Sequence, residues 1–323
     1  MGRSSRQDPL RETTRLLPFQ VISGFGGFYT VAAPDGSQLV CKGRGKLKKQ
    51  FKAILTGDRV LVSPQEDGLG MIEAILPRSC ELSRPHIANV DLAVIVLSWK
   101  LPDYDLLLLD NLILTCRLAK LQAALCFNKC DMMSQEEQPL FQALRQAYRQ
   151  AGLTVLAVSA HTGQGLEELR SLLAGRVSVL AGPSGVGKTS LLNCLLPQEQ
   201  APVGEISERL RRGRHTTRYT RLLALEGQAD QGRPPGMLAD APGFFVLDTP
   251  REVGLSDLPR LYPEYLRLAE GQEGGCRFDG CRHHREPGCA VRQAVAEGRL
   301  DQGRYQRYLR ILQQIREREA IYP

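Results

Sequence analysis

One glycine-rich run, Gly182-Pro183-Ser184-Gly185-Val186-Gly187-Lys188-Thr189, restricts the folds open to this chain more than any other stretch. The apolar run Val177 to Leu180 precedes it, and Ser190-Leu191-Leu192 continues it as the start of a helix. Strand, tight turn and helix in that order form a phosphate loop. The glycines let successive backbone N–H groups converge on an anion, at a helix N-terminus whose dipole favours negative charge. Lys188 is then placed to bridge β- and γ-phosphate oxygens, and the Thr189 hydroxyl to take a Mg²⁺ position. Gly182 through Ser190 are therefore predicted to hold a nucleoside triphosphate.

The loop leaves the base open. Asn128-Lys129-Cys130-Asp131, at the end of the apolar run Leu121 to Phe127, addresses it. A carboxylate at Asp131 accepts from both N1–H and the 2-amino group of guanine, whereas adenine would leave that anion unpaired. Asn128 can bond the opposite edge of the base and neighbouring loops, and the Lys129 stem can lie over the base. Ser159-Ala160, ending the next apolar run, suits a backbone contact to the guanine O6. Asp240-Ala241-Pro242-Gly243 places a carboxylate for Mg²⁺ and the Gly243 N–H for the γ-phosphate. The order of these parts is unusual. In Ras-like GTPases the base-reading elements come last, whereas here they precede the phosphate loop, so a circularly permuted GTPase is predicted. Phe244-Phe245 stand where such enzymes carry a water-orienting Gln, which an apolar side chain cannot replace. Gly213-Arg214-His215-Thr216-Thr217 occupies the switch I position. Its threonines are candidates for the Mg²⁺ shell, and His215 for polarising water. Lys188, Asp240 and His215 form the predicted catalytic set.

Texture divides the chain. Residues 17–82 show about five short alternating runs broken by Gly, Pro and Asp, the pattern of a small closed barrel of the oligonucleotide-binding type. A hinge is expected at Ser83-Arg84-Pro85. Residues 83–252 alternate apolar strand-like runs with helical stretches, the mark of an α/β domain with a mainly parallel sheet. Residues 253–323 are Gly-rich, then Arg-rich and helical. Residues 1–16 form a basic extension. With 42% hydrophobic residues the composition is globular. No apolar run approaches the roughly 20 residues needed to span a bilayer. The polar Arg-rich start lacks the apolar stretch of a signal peptide, so a cytoplasmic protein with no membrane contact, acting as a monomer, is expected.

The nine cysteines include Cys116, Cys126 and Cys194 within apolar runs, where they behave as small hydrophobes. Cys276, Cys281, His283 and Cys289 differ. Three thiols and an imidazole in fourteen residues supply a closed tetrahedral Zn²⁺ shell, hence a structural site. His284 competes with His283, and spacing does not choose between them. The net charge of +7 favours an anionic partner. Lys42, Arg44, Lys46, Lys48, Lys49 and Lys52 form a run without an acidic residue, the first candidate for RNA contact. Arg304, Arg307 and Arg310, spaced by three, with Tyr305 and Tyr308, are the second.

Taken together, from residue 17 onward the chain resembles the bacterial small ribosomal subunit biogenesis GTPases, a circularly permuted, zinc-containing family. Arg44-Gly45-Lys46, Gly57-Asp58-Arg59-Val60, Arg84-Pro85 with Asn89-Val90-Asp91, and the nucleotide and cysteine motifs in their joint order carry the resemblance. It implies three domains, an oligonucleotide-binding barrel, a GTPase domain and a zinc domain. It also implies GTP hydrolysis to GDP stimulated by the 30S subunit, contact with 16S rRNA, and a role in late subunit maturation. The resemblance selects His283 over His284. Arg218 replaces a common Thr, so the Mg²⁺ threonine stays open between Thr216 and Thr217. A P-loop ATPase or kinase, and a zinc- and RNA-binding scaffold without turnover, are the competing readings.

Overall fold

The computed structural model describes residues 17–45, 53–65, 68–83, 85–197, 220–225, 236–240, 249–271 and 275–321. Five strands, β1 (Leu17–Phe25), β2 (Phe28–Ala32), β3 (Gln38–Gly43), β4 (Arg59–Pro64) and β5 (Gly70–Ile75), close into a barrel in the order β1-β2-β3-β5-β4. Side chains alternate across a strand, so one face of each points inward. The inward set Val21, Val31, Cys41, Val60, Val62 and Ile72 is sealed from solvent. Its β-branched majority suits the pleated surface.

The segment read as a hinge is a hairpin tip. β6 (Glu81–Ser83) pairs antiparallel with β7 (His86–Ala88), and Pro85, which has no N–H to offer a ladder, falls in the turn. The hairpin is braced against the barrel. Ala88 N–H donates to the Thr56 carbonyl at 2.9 Å, and Asn89 Nδ2 donates to the Gly57 carbonyl at 3.0 Å.

A six-stranded sheet follows, built from β8 (Leu92–Ser98), β9 (Gln122–Asn128), β10 (Thr154–Ala157), β11 (Val177–Ala181), β12 (Arg221–Ala224) and β13 (Met237–Asp240). Its order is β10-β9-β8-β11-β13-β12, parallel throughout except at the β12–β13 pair. Connecting helices α1 (Leu106–Leu118), α2 (Gln138–Gln150), α3 (Leu166–Leu173) and α4 (Lys188–Leu195) cover it. All seven residues of β8 are buried, which is why it reads as an unbroken apolar run. Ala93, Ile95 and Leu97 join the core that holds Leu112, Phe127 and Tyr148; Leu92, Val94 and Val96 join the one that holds Cys126, Leu169 and Leu191. Asp105 caps α1, its carboxylate accepting from Leu107 N–H at 2.8 Å and Leu108 N–H at 3.1 Å.

Three helices complete the chain, α5 (Pro263–Ala269), α6 (Ala290–Ala296) and α7 (Gln302–Ile321). They pack on the outer side of α1 around stacked Tyr262 and Tyr265, with Tyr308 edge-on to both. The proposed RNA face on α7 is corrected here. Arg304 is 3% exposed and donates through Nε to Glu264 at 2.7 Å, with a second bond to Asp110. Arg307 Nε donates to the other Asp110 oxygen at 2.7 Å. Tyr305 and Tyr308 are buried, and their hydroxyls donate to the His283 and Arg282 carbonyls, each at 2.7 Å. Of that set only Arg310 faces solvent. No helix among the described residues is long and apolar enough to cross a membrane.

Candidate nucleotide site and metal cluster

The carboxyl ends of five parallel strands meet at one edge of the sheet, where ligands of open α/β sheets bind. β11 runs into the glycine-rich turn, and α4 begins at Lys188 directly after it. β9 delivers Asn128, and β10 is followed by Ser159 and Ala160.

Asn128 joins these loops. Its Nδ2 donates to the Val186 carbonyl in the phosphate loop at 2.8 Å, while its Oδ1 accepts from Ala160 N–H at 3.1 Å. The side chain is thus consumed in holding base loop and phosphate loop together. Gly187 is in the left-handed region (φ 92°), and a Cβ there would stand 2.3 Å from Asn128 Nδ2. Any larger residue would separate the loops. Val186 anchors the same turn in the core. Lys129, also left-handed (φ 59°), reaches back to the Gly185 carbonyl at 3.0 Å and to the Leu101 carbonyl. Its stem therefore runs along the edge where a base would lie. Cys130 is buried, its N–H donating to the Val158 carbonyl at 3.1 Å, and Asp131 beside it is exposed. Ser159 Oγ accepts from the His161 and Thr162 N–H groups at 3.2 and 3.1 Å, fixing the turn that presents Ala160.

Within the phosphate loop, Lys188 Nζ donates to the Gly182 and Pro183 carbonyls at 2.8 and 2.6 Å. Desolvation lowers its pKa below that of an ordinary lysine. Ser184, Gly185, Thr189 and Ser190 are exposed along the turn and first helical residues. Asp240 ends β13 at the surface, paired across the ladder with Arg221. Partial desolvation of its carboxylate raises its pKa, and Arg221 opposes the shift. His215, Thr216, Thr217 and Gly243 lie outside the described residues, as do Lys46, Lys48, Lys49 and Lys52. Lys42 and Arg44 are exposed on the barrel, the first 5.3 Å over the Phe28 ring and the second paired with Glu73.

Sequence reasoning missed the loop after β8. Trp99 packs edge-on to Phe127 and Phe141, and Glu137 accepts from Trp99 Nε1 at 3.3 Å and Lys100 Nζ at 2.8 Å. This clamp holds the loop whose Leu101 carbonyl receives Lys129. Trp99, the only tryptophan, next to a lysine at the end of an apolar strand was the available signal.

The cysteine cluster is a second centre. Ligand atoms of Cys276, Cys281, His283 and Cys289 all lie within 4.8 Å of one another, and His284 is not among them. A tetrahedral zinc ion, with Zn–S of about 2.3 Å and Zn–N of about 2.0–2.1 Å, sets S···S near about 3.8 Å and S···N near about 3.6 Å. The corresponding distances are 3.9 Å for Cys276–Cys289, 3.6 Å for Cys276–His283 Nδ1 and 3.4 Å for Cys289–His283 Nδ1. The donor set therefore fits such an ion. Burial lowers the His283 pKa to about 4, so the imidazole is neutral at neutral pH and one ring nitrogen can bind a cation. Burial pushes the Cys281 thiol up to about 12, so a bound cation must displace its proton. Glu286 supports the loop, accepting from the Arg282, His284 and Arg285 N–H groups at 3.0, 2.8 and 3.0 Å.

Known proteins are similar to this chain in sequence and in fold. Residues 75–250 match the RsgA GTPase family and residues 20–72 the RsgA N-terminal domain. The small ribosomal subunit biogenesis GTPase RsgA of Moorella thermoacetica is 41% identical over 92% of this chain and 97% of its own length. Its namesake from Caldanaerobacter subterraneus subsp. tengcongensis is 40% identical over 93% and 96%. YjeQ from Thermotoga maritima superposes with a TM-score of 0.76 at 30% identity, over 93% of this chain and 99% of that one. YloQ, a circularly permuted GTPase, gives 0.77 at 28% identity, over 96% and 99%. With its loops in permuted order on an unbroken sheet and a relative at 41% identity along nearly the whole length, this chain belongs to the RsgA GTPase family.

Proposed function

We propose that the chain hydrolyses GTP to GDP and phosphate while bound to the 30S ribosomal subunit, and that it assists late maturation of that subunit before leaving it as the GDP form. The observation that carries this reading is Asn128, whose two hydrogen bonds fuse a guanine-type base loop to a phosphate loop. Asp131 reads the base, Lys129 covers it, and the Gly182–Ser190 turn holds the phosphates. Thr189 and Asp240, with Thr216 or Thr217, would hold Mg²⁺, which neutralises phosphate charge when bound. Lys188 exchanges its two loop carbonyls for phosphate oxygens. Its lowered pKa reflects the desolvation that makes such a charge contact strong. Gly243 contributes a backbone N–H. Lys42, Arg44, Lys46, Lys48, Lys49 and Lys52 contact rRNA, and the protein works as a cytoplasmic monomer.

Phosphate release measured with and without purified subunits tests this, with ATP as competitor. Turnover should rise with subunits and resist ATP. Unchanged turnover favours a scaffold; ATP competing as well as GTP favours an ATPase or kinase. His215→Ala should bind GTP normally yet lose about 10²-fold of stimulated turnover, because a water-polarising group acts only in the transition state. Equal stimulated rates would remove His215 from the catalytic set.

Cys276, Cys281, His283 and Cys289 hold one structural Zn²⁺. Elemental analysis should give one zinc per chain, and Cys281→Ser should lose it and loosen the C-terminal helices while GTP binding survives. Zinc-free protein prepared without chelator would refute the assignment.

A further inference from the structure

The barrel touches the nucleotide domain at the start of β12. Thr56, 8% exposed in the connection between β3 and β4, donates its hydroxyl to the Thr220 carbonyl at 3.0 Å. Thr220 directly precedes β12 and lies three residues beyond Thr217, the last switch I threonine in sequence. The partners are separated by 164 positions in sequence, one in the barrel connection and one beside β12, so this is a contact between domains.

Residues 55–58 of the connection are held too firmly to absorb a displacement locally. Gly57 is left-handed (φ 88°), a Cβ there would stand 2.0 Å from the Ala88 carbonyl oxygen, and its N–H donates to Val21 in the barrel at 2.7 Å. Asp58 is buried and accepts from Leu55 N–H at 2.7 Å and from Arg78 Nε and Nη2 at 2.7 and 2.8 Å. On the other side, Ile22 and Ala32 of the barrel share a core with Leu222 of β12. The basic run 42–52 enters this connection four residues before Thr56. Packed elements move between discrete arrangements rather than deforming smoothly, so a displacement of residues 55–58 carries to β12.

We propose that Thr56 is a positioning residue that couples the barrel to β12 and, through the Arg221–Asp240 pair of the β12–β13 ladder, to the hydrolytic site, so that engagement of the barrel sets the geometry of that site through the Thr56–Thr220 hydrogen bond. It touches neither nucleotide nor metal. The role in stimulated turnover rests on the GTPase reading above; the coupling itself does not.

Thr56→Val keeps the buried volume and deletes the donor, and Thr56→Ser restores the donor. With purified 30S subunits at saturation, Thr56→Val should lower stimulated kcat about 5-fold or more while the Kd values for GTP and for subunits stay within about 2-fold, a split that loss of structure would not give. Thr56→Ser should recover the rate. Without subunits, amide exchange at Gly57 and Ala88 in the wild type should differ between GDP and a non-hydrolysable GTP analogue, and Thr56→Val should abolish the difference. Wild-type exchange indifferent to nucleotide overturns the proposal, whether or not the valine variant folds. So does a valine variant with wild-type stimulation, or a loss that serine does not recover. If nucleotide-dependent exchange is present and lost in Thr56→Val, but subunits never stimulate the wild type, the coupling stands and the GTPase–subunit reading fails.

Discussion

Asp131→Asn should lose GTP affinity by roughly 2–4 kcal/mol, about 30- to 1000-fold, while binding of xanthosine triphosphate improves. The carboxylate offers two acceptors to the N1–H and 2-amino donors of guanine; an amide presents one acceptor and a donor that faces a donor. Xanthine replaces the 2-amino group with a carbonyl, which the new amide can satisfy. Among the described residues no hydrogen bond or ion pair engages this side chain. Asp131 is exposed, and the turn it sits in is fixed by Cys130, whose N–H donates to the Val158 carbonyl, and by Asn128. Equilibrium titration with labelled nucleotides reads the effect, with the melting temperature as control. Wild-type GTP affinity in the variant would remove Asp131 as the base reader. A parallel loss for ATP and GTP would point to a damaged loop instead.

The nucleotide edge was legible because its parts are local. A phosphate loop needs only a strand, a glycine turn and a helix start adjacent in sequence, and each base-reading element closes a short apolar run. Circular permutation does not disturb them, since every loop stays on the same edge of one sheet; only the linkage between them changes. The metal cluster was legible for the same reason, its ligands falling within fourteen residues, although the choice of His283 came from resemblance and the geometry then placed Nδ1 rather than His284 against the thiols. Contacts across domains were not legible. Thr56 and Thr220 are ordinary residues until the barrel packs on β12. The edge strand β12 was missed because four residues, Arg221-Leu222-Leu223-Ala224, carry too little pattern. The supposed hinge failed because Pro85 marks a turn without saying whether the flanking residues pair. On α7, spacing by three put Arg304 and Arg307 on one face but could not say what that face meets, and Arg310 lies on the exposed side instead. Asp110 held the missing half of the answer. A carboxylate after four consecutive leucines in a helix is either on the exposed edge or buried with a cation, and a buried one demands a partner from elsewhere in the chain.

That partner sets the second large effect. Arg304→Met should destabilise the protein by about 3–5 kcal/mol, the usual result of removing one member of a buried ion set. Asp110 and Glu264 are 1% and 4% exposed, and Glu264 Oε2 already has no hydrogen-bond partner among the described residues. Without Arg304, Glu264 loses its bond to Nε and Asp110 keeps only Arg307 and the Tyr148 hydroxyl, at 2.7 and 3.0 Å. Two carboxylates are then left in a space lined by Tyr262 and Tyr148, whose rings the guanidinium had covered at 4.8 and 4.9 Å. Because Asp110 lies on α1 and Arg304 on α7, the cost falls on the junction of the nucleotide domain with the zinc-cluster helices. Denaturant unfolding without RNA or subunits should therefore show the loss, and the C-terminal helices should separate first by amide exchange. Arg310→Ala, on the exposed side of the same helix, should change stability by no more than about 0.5 kcal/mol. Neutralising the two acids together with the arginine should recover part of the loss, since much of it comes from stranded charge rather than from the net worth of the pair. Wild-type stability in Arg304→Met combined with weakened subunit binding would reverse the assignment and return this face of α7 to RNA.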